Sequence, residues 1–231
     1  MHPYFVRQKI NYGIYLIEPD EKIEFNRGLL MNIGFIESIR DRINLKNISI
    51  EESMKNNNTY WNCWIFHDVD MIPEDERLIY GCSDESPMHF AVSVSKFYYK
   101  TTDYFSNYYG GIVSFTKDQY LNINGFSNLY FGWGGEDDDL KSRVVLKYKD
   151  FKKIPANIGV IYTHDHDLDV PNPQRHIILE KILQTVNITR NFEDGIKTLK
   201  YKVVNISKND LFTKIVVNYK KDDYNFNKFI L

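Results

Sequence analysis

Cysteine is nearly missing: Cys63 and Cys82 are the only two in 231 residues, and no C-x-x-C pair exists. A thiolate zinc site is thereby disfavoured, while one disulfide and two free thiols both fit. An excess of one charge is missing too. The chain has 29 Lys and Arg against 31 Asp and Glu, a net charge of -2, so it carries no electrostatic footprint for nucleic acid. No run approaches the ~18 apolar residues a spanning helix needs. The opening MHPYFVRQK is neither a signal peptide nor a membrane anchor. No G-x-S-x-G, Walker A loop or G-x-G-x-x-G occurs, which argues against a serine nucleophile elbow and against the common phosphate-cradling loops.

What is present reads as a folded chain. Hydrophobic residues make up 43% and charged residues 26%, a globular balance with ample material for a core. Aromatics reach 15%, which serves stacking on sugars or bases and a large core equally. N-x-S/T sequons begin at Asn47, Asn57, Asn187 and Asn205. In so Asn-rich a chain they lean only weakly towards a secretory compartment.

Hydrophobic periodicity predicts a strand over Tyr12–Ile17 and a helix over Phe25–Ile39, with Leu29, Ile33, Ile36 and Ile39 as its inner stripe and Glu37 and Arg40 outside it. Residues 44–59 read as a polar loop. Strands are expected at Trp61–Phe66, Phe90–Val94, Gly110–Phe115 and Ile158–Tyr162. Thr116 and Gln119 make a capping box for a short helix closed by Gly125. Helices are expected at 136–145 and 174–185, and the strands 198–204 and 212–219 form a hairpin. Strands alternating with helices imply one domain with a mostly parallel, layered α/β sheet.

Three motifs carry chemistry. Asp68 and Asp70 follow a buried strand, and two carboxylates two apart on an extended chain face the same way. They suit a divalent cation at the ligand-binding edge of an open sheet, a general acid/base pair, or simply a solvated turn before Pro73. His164 and His166 repeat that spacing at the end of another strand. Imidazole with carboxylate favours Mn²⁺ or Fe²⁺ over Ca²⁺ and leaves Zn²⁺ open; two surface histidines in an Asp-rich turn are the plain alternative. GWGGEDDD places Glu136–Asp139 in a first helical turn, where the macrodipole favours anions. Side chains there fan out by about 100° per residue, so all four cannot serve one cation. A carboxylate facing an apolar wall would act as a general base. Gly134 and Gly135 admit close backbone approach, and Trp133 offers a flat face to a sugar ring. A well-capped helix after a glycine turn is the bland alternative.

FNRGLLMNIGF, FHDVDMIP, YYGGIVSFTKDQYLNINGF, GWGGEDDD and PNPQR, running in order from about Tyr12 to about Tyr219, resemble the beta-1,4-galactosyltransferases. The resemblance implies a GT-A-type glycosyltransferase, a Rossmann-like, mostly parallel α/β sheet flanked by helices. It implies one domain over residues 1–231 that lacks the family's upstream strand, with its P-F-R-N-R element, and its membrane anchor. The implied reaction is Mn²⁺-dependent, inverting transfer of galactose from UDP-galactose to a sugar hydroxyl of a glycoconjugate. Terminal N-acetylglucosamine, glucose or xylose would be the acceptor. Asp70, His164 and His166 match the metal region; many members carry Met-x-x-His there, and H-x-H resembles the xylosylprotein galactosyltransferase branch. Phe25, Arg27, Asp68, Val69, Lys96, Gly111 and Trp133 match donor-binding positions. Asp137 matches the general base, with Glu136 beside it as the second catalytic carboxylate. Tyr108, Gly135, Asp138 and Arg175 match the acceptor side, and Tyr108 stands where tyrosine favours galactose. His176 departs from the aromatic residue familiar at its position. Cys63 and Cys82 match a disulfide. A Golgi lumenal location and a glycoprotein are implied if an anchor precedes the chain. The competing readings are a non-catalytic carbohydrate-binding module and a transferase using UDP-N-acetylgalactosamine. A metal-dependent hydrolase is disfavoured because no bridging-carboxylate pattern is visible.

Overall fold

The structure, a computed structural model, describes residues 1–20, 23–42, 50–55, 61–101, 108–165, 167, 170–189 and 191–224. The sequons at Asn47 and Asn57 and the candidate ligand His166 lie outside the described residues. The chain divides into two compact units, each assembled from three separate stretches.

The first unit comprises residues 1–12, 63–122 and 140–168. Helix α1 (His2–Gln8) opens it, with Pro in its first turn where the missing N–H costs nothing. Strand β2 (Trp64–His67) pairs antiparallel with β6 (Ile112–Phe115). Beside β6 lie β4 (Met88–His89) and then β7 (Lys152–Lys153). A second sheet sets β8 (Val160–Thr163) between β3 (Met71–Pro73), antiparallel, and β5 (Ser93–Val94), parallel. The strand expected over Phe90–Val94 forms only at Ser93–Val94, since β4 already ends at His89 and residues 90–92 lie in no strand. Phe90 donates its N–H to Ile112 of one sheet, and Val92 donates to the Gly159 carbonyl beside the other, so the chain changes sheets between them. Phe66, Phe90, Ile112, Phe115 and Tyr120 are buried, and Phe66 stacks on Tyr120 with centroids 4.5 Å apart.

The capping box forms as expected. Thr116 N–H donates to Gln119 Oε1 at 2.9 Å, and Gln119 N–H to Thr116 Oγ1 at 3.3 Å. These bonds start α4 (Lys117–Asn122), an arrangement that stabilises a helix by about 1 kcal/mol. Cys63 and Cys82 are joined in a disulfide.

The second unit comprises residues 13–62, 123–139 and 169–231. Its sheet runs β1 (Tyr15–Pro19), β10 (Thr213–Asn218), β9 (Lys202–Lys208), with β1 parallel and β9 antiparallel to β10. Helix α2 (Arg27–Arg42) presses on β1, and Gly34 makes room for Ile17. The inner stripe Leu29, Ile33, Ile36, Ile39 is buried as its period predicts. Glu37 is a correction: it is buried at 6% exposure, not outside the stripe. Arg40 Nη1 pairs with it at 2.6 Å and the Tyr201 hydroxyl donates to the same carboxylate oxygen at 2.5 Å, so two partners compensate its desolvation. Part of the expected 44–59 loop is helical as α3 (Ile50–Lys55). The unit holds α6 (Arg175–Thr189) and the first turn of α5 (Glu136–Tyr148), whose remainder belongs to the first unit.

Gly125 follows α4 at φ +65, and a Cβ there would meet Asn32 Oδ1 at 2.3 Å. That oxygen accepts the Phe126 N–H at 3.0 Å, so the glycine permits the approach of a buried amide that ties α2 to the turn. Across both units, pairing is mixed rather than mostly parallel: β1/β10, β4/β7 and β5/β8 are parallel and the other named pairs antiparallel.

Candidate active site

In the first unit the site begins where β2 ends. The Asp68 N–H donates to the Gly111 carbonyl at 3.0 Å, and the Met71 N–H to the Asp68 carbonyl at 3.3 Å. The second bond closes a turn over Asp68–Met71, so Asp68 and Asp70 do not sit on an extended chain as their spacing suggested. Both side chains are half-buried, and Val69 at the tip is 87% exposed. Gly111, at φ +79, lies against Met71, whose Sδ a Cβ would meet at 2.6 Å, so its lack of a side chain lets β6 come close to the turn.

β8 lies against β3 with Thr163 opposite Met71. One residue on, the His164 N–H donates to the Asp70 carbonyl at 2.9 Å. The aspartate turn and the start of the histidine motif are thus bonded neighbours. His164 is exposed, with its ring edge-on to Tyr162 at 5.0 Å. Among the described residues no three His, Cys, Asp or Glu side chains form a metal cage, and His166 lies outside those residues.

His67 supports the turn from behind. Burial holds its imidazole below the usual histidine range, though the Asp68 carbonyl opposes this. A carbonyl only accepts, so Nδ1 at 2.7 Å from Asp68 O carries the proton, and Nε2 accepts from the Tyr80 hydroxyl at 2.8 Å. Lys96 is exposed, its Nζ 5.7 Å from the centroid of the half-buried Tyr108 ring.

In the second unit the chain passes Trp133–Gly134–Gly135 into α5. Gly134 and Gly135 have φ +95 and +100, and a Cβ on Gly135 would meet the Tyr130 ring at 2.5 Å, so both need glycine. The four carboxylates of the first turn separate as a helix requires. Glu136 is buried and Asp137 half-buried; Arg27 Nη1 lies 3.6 Å from the first and 2.8 Å from the second. Asp139 is buried against the Tyr130 hydroxyl at 3.2 Å, and Asp138 is exposed. Asp137 therefore faces a guanidinium. Trp133 is 53% exposed, and its backbone is held by Val170 and Asn172. The Arg175 guanidinium lies 5.7 Å from its ring centroid, within cation–π reach. Phe25 is exposed, and its carbonyl accepts the Gly132 N–H at 2.9 Å. His176 is exposed on α6.

Comparison with known proteins decides the family. A model described as the N-terminal region of glycosyl transferase group 7 matches residues 1–83, and one described as the N-terminal domain of galactosyltransferase matches residues 88–167. The chain belongs to the beta-1,4-galactosyltransferase family. It is 38% identical over 221 residues to beta-1,4-galactosyltransferase 2 of Cricetulus griseus, covering 94% of this chain and 53% of the relative. It is 34% identical over 223 residues to human beta-1,4-galactosyltransferase 4, covering 95% and 57%. The chain spans about half the length of these curated relatives. Two solved structures share the fold, both of the Drosophila beta-1,4-galactosyltransferase 7. The catalytic domain with xylobiose has a TM-score of 0.70 at 22% identity, covering 99% of this chain and 88% of that one. A mutant with manganese, UDP-Gal and xylobiose has a TM-score of 0.64 at 23% identity with the same coverage. The fold is accordingly the α/β glycosyltransferase type expected from the motifs.

Two contributors lay outside the motif reading. The Arg27–Asp137 pair spans 110 positions, and no local pattern carries it. His67 stands in the FHDVD string, but its partner Tyr80 is 13 residues away.

Proposed function

We propose that this chain is the catalytic part of a metal-dependent, inverting galactosyltransferase that moves galactose from UDP-galactose to a sugar hydroxyl. The single observation that carries the reading is the His164–Asp70 backbone bond, which brings a carboxylate and an imidazole out of adjacent positions. Oxygen with nitrogen suits Mn²⁺, the ion that accompanies UDP-Gal in the Drosophila relative. Asp70 and His164 would hold the ion, with His166 as a third ligand; bound there, it would neutralise the diphosphate of the leaving UDP.

The chain's own residues do the rest. Asp68, Val69, Lys96 and Gly111 are donor-binding residues, as are Phe25, Arg27 and Trp133. Asp137 accepts the proton of the acceptor hydroxyl as that oxygen attacks the anomeric carbon opposite the phosphate. Arg27 aims the Asp137 carboxylate, and Glu136 is held beside it by the same guanidinium. Asp138, Gly135 and Arg175 are acceptor-binding residues; Tyr108 has an acceptor-side role of its own and favours galactose in the donor.

The disulfide and the Asn205–Ile206–Ser207 sequon, exposed on β9, support a glycoprotein of the secretory route and a Golgi lumenal location. No helix among the described residues is long and apolar enough to cross a membrane.

The test is transfer from UDP-galactose to xylose, N-acetylglucosamine and glucose with and without Mn²⁺. Mn²⁺-dependent product, lost in Asp137→Asn, is expected. No transfer from any UDP-sugar refutes the reading. The exposed face of Trp133 favours one alternative, a carbohydrate-binding module, which would bind glycans without UDP or metal.

A further inference from the structure

His67 and Tyr80 are absorbed by neither the donor, the acceptor nor the ligand set proposed above. Yet they brace the aspartate turn through side chains. The Asp68 carbonyl accepts twice, from the Met71 N–H that closes the turn and from His67 Nδ1–H. The far nitrogen of the same ring accepts from Tyr80, and the two rings lie nearly parallel, 16° apart with centroids separated by 5.8 Å. Tyr80 is 6% exposed. Phe90 stacks on it at 5.5 Å, and Tyr4 and Phe5 of α1 meet it edge-on at 5.7 and 5.2 Å. The Tyr80 N–H is also tied to α1, donating to Gln8 Oε1 at 3.4 Å. A rigid aromatic block thus ends on one imidazole, and that imidazole ends on the carbonyl that both starts and closes the turn.

We infer that His67, locked by Tyr80 as its Nδ1–H tautomer, is a positioning residue that fixes the Asp68–Asp70 turn for a divalent cation. The inference rests on the proposed metal role of Asp70 and His164. The physical reason is preorganisation: a carboxylate on a two-residue tip would otherwise have to be ordered by the ion itself, at a cost to affinity. Partners that orient a ligand from behind typically change metal affinity by 10–100-fold when removed.

The test combines two measurements on the intact chain. Imidazole ¹⁵N shifts of His67 in metal-free protein read the tautomer directly; protonated Nδ1 with bare Nε2 is expected, and the opposite tautomer overturns the inference. Mn²⁺ titration then compares His67→Phe, which removes both ring nitrogens, with His67→Asn, whose side-chain amide can still donate to the Asp68 carbonyl. His67→Phe should weaken Mn²⁺ binding about 10–100-fold, and His67→Asn should recover most of it. Equal binding by wild type and His67→Phe overturns the inference, as does an equal loss in both variants, which would signify packing alone. Tyr80→Phe keeps the ring and serves if His67→Phe does not fold; it should weaken Mn²⁺ binding and shift the tautomer ratio, and no change in either overturns the inference. Absence of Mn²⁺ binding by wild type would instead sink the metal reading, while the tautomer would still judge the lock.

Discussion

Arg27→Met should destabilise the protein by about 2 kcal/mol, through charge rather than volume. The guanidinium lies 2.8 Å from Asp137 and 3.6 Å from Glu136, and the three side chains are only 15%, 22% and 10% exposed. Breaking a fully buried pair costs about 3–5 kcal/mol because a charge is stranded, whereas exposed pairs matter by about 0–1 kcal/mol. Partial exposure puts this pair between those limits, and the helix N-terminus returns about 0.3–1 kcal/mol to each stranded carboxylate. At roughly 2–4 °C per kcal/mol for a chain of this size, the melting midpoint should fall by about 4–8 °C. Thermal unfolding of the single variants Arg27→Met and Asp137→Asn and of the double variant completes a cycle. A favourable coupling on the order of 1 kcal/mol is expected, with the double variant less destabilised than the two losses added. A midpoint for Arg27→Met within about 1 °C of wild type, or strictly additive losses, would refute the electrostatic argument.

Asp137→Asn should lower kcat by about 10²–10⁴-fold at an unchanged KM for UDP-galactose, read in a steady-state transfer assay. Removing the disulfide by Cys63→Ala with Cys82→Ala should cost about 3 kcal/mol by the loop-entropy relation, since 19 residues separate the pair; denaturant midpoints measure this. Gly125→Ala should cost about 1–3 kcal/mol, because φ is +65 and the added Cβ would lie 2.3 Å from Asn32 Oδ1; chemical denaturation checks it. Arg77 beside Asp75 depresses that carboxyl to about 2. A depressed folded value gives stability that is present above the ordinary 3.8 and lost as pH falls towards 2. A carboxyl NMR titration should show the low midpoint, moving up in Arg77→Gln.

The parts of the fold legible in the sequence were those fixed by neighbours along the chain. The α2 stripe, the Thr116–Gln119 box and the acidic start of α5 depend on spacings of three or four residues, which periodicity and capping expose. Misread segments depend on partners far away. Glu37 looked solvent-facing because Tyr201, 164 residues on, is invisible to a helical wheel. Phe90–Val94 looked like one apolar strand because two sheets claim its ends. The short α1 has too few turns to show a period. At the candidate site, residue types and order pointed to the chemistry, but the aim of the side chains did not follow from them. Asp68 and Asp70 lie on a turn closed by Met71, and Asp137 pairs with Arg27. The disulfide was implied by resemblance alone, since two cysteines without a spacing rule do not name their state.

The claim on which the rest depends is that the Asp70–His164 pair recruits a divalent ion for a UDP-sugar. Calorimetry of UDP binding, with and without Mn²⁺, tests it in wild type and in Asp70→Asn. Binding that requires Mn²⁺ and is lost in the variant is predicted. UDP binding of equal strength without Mn²⁺, or surviving intact in Asp70→Asn, would contradict it.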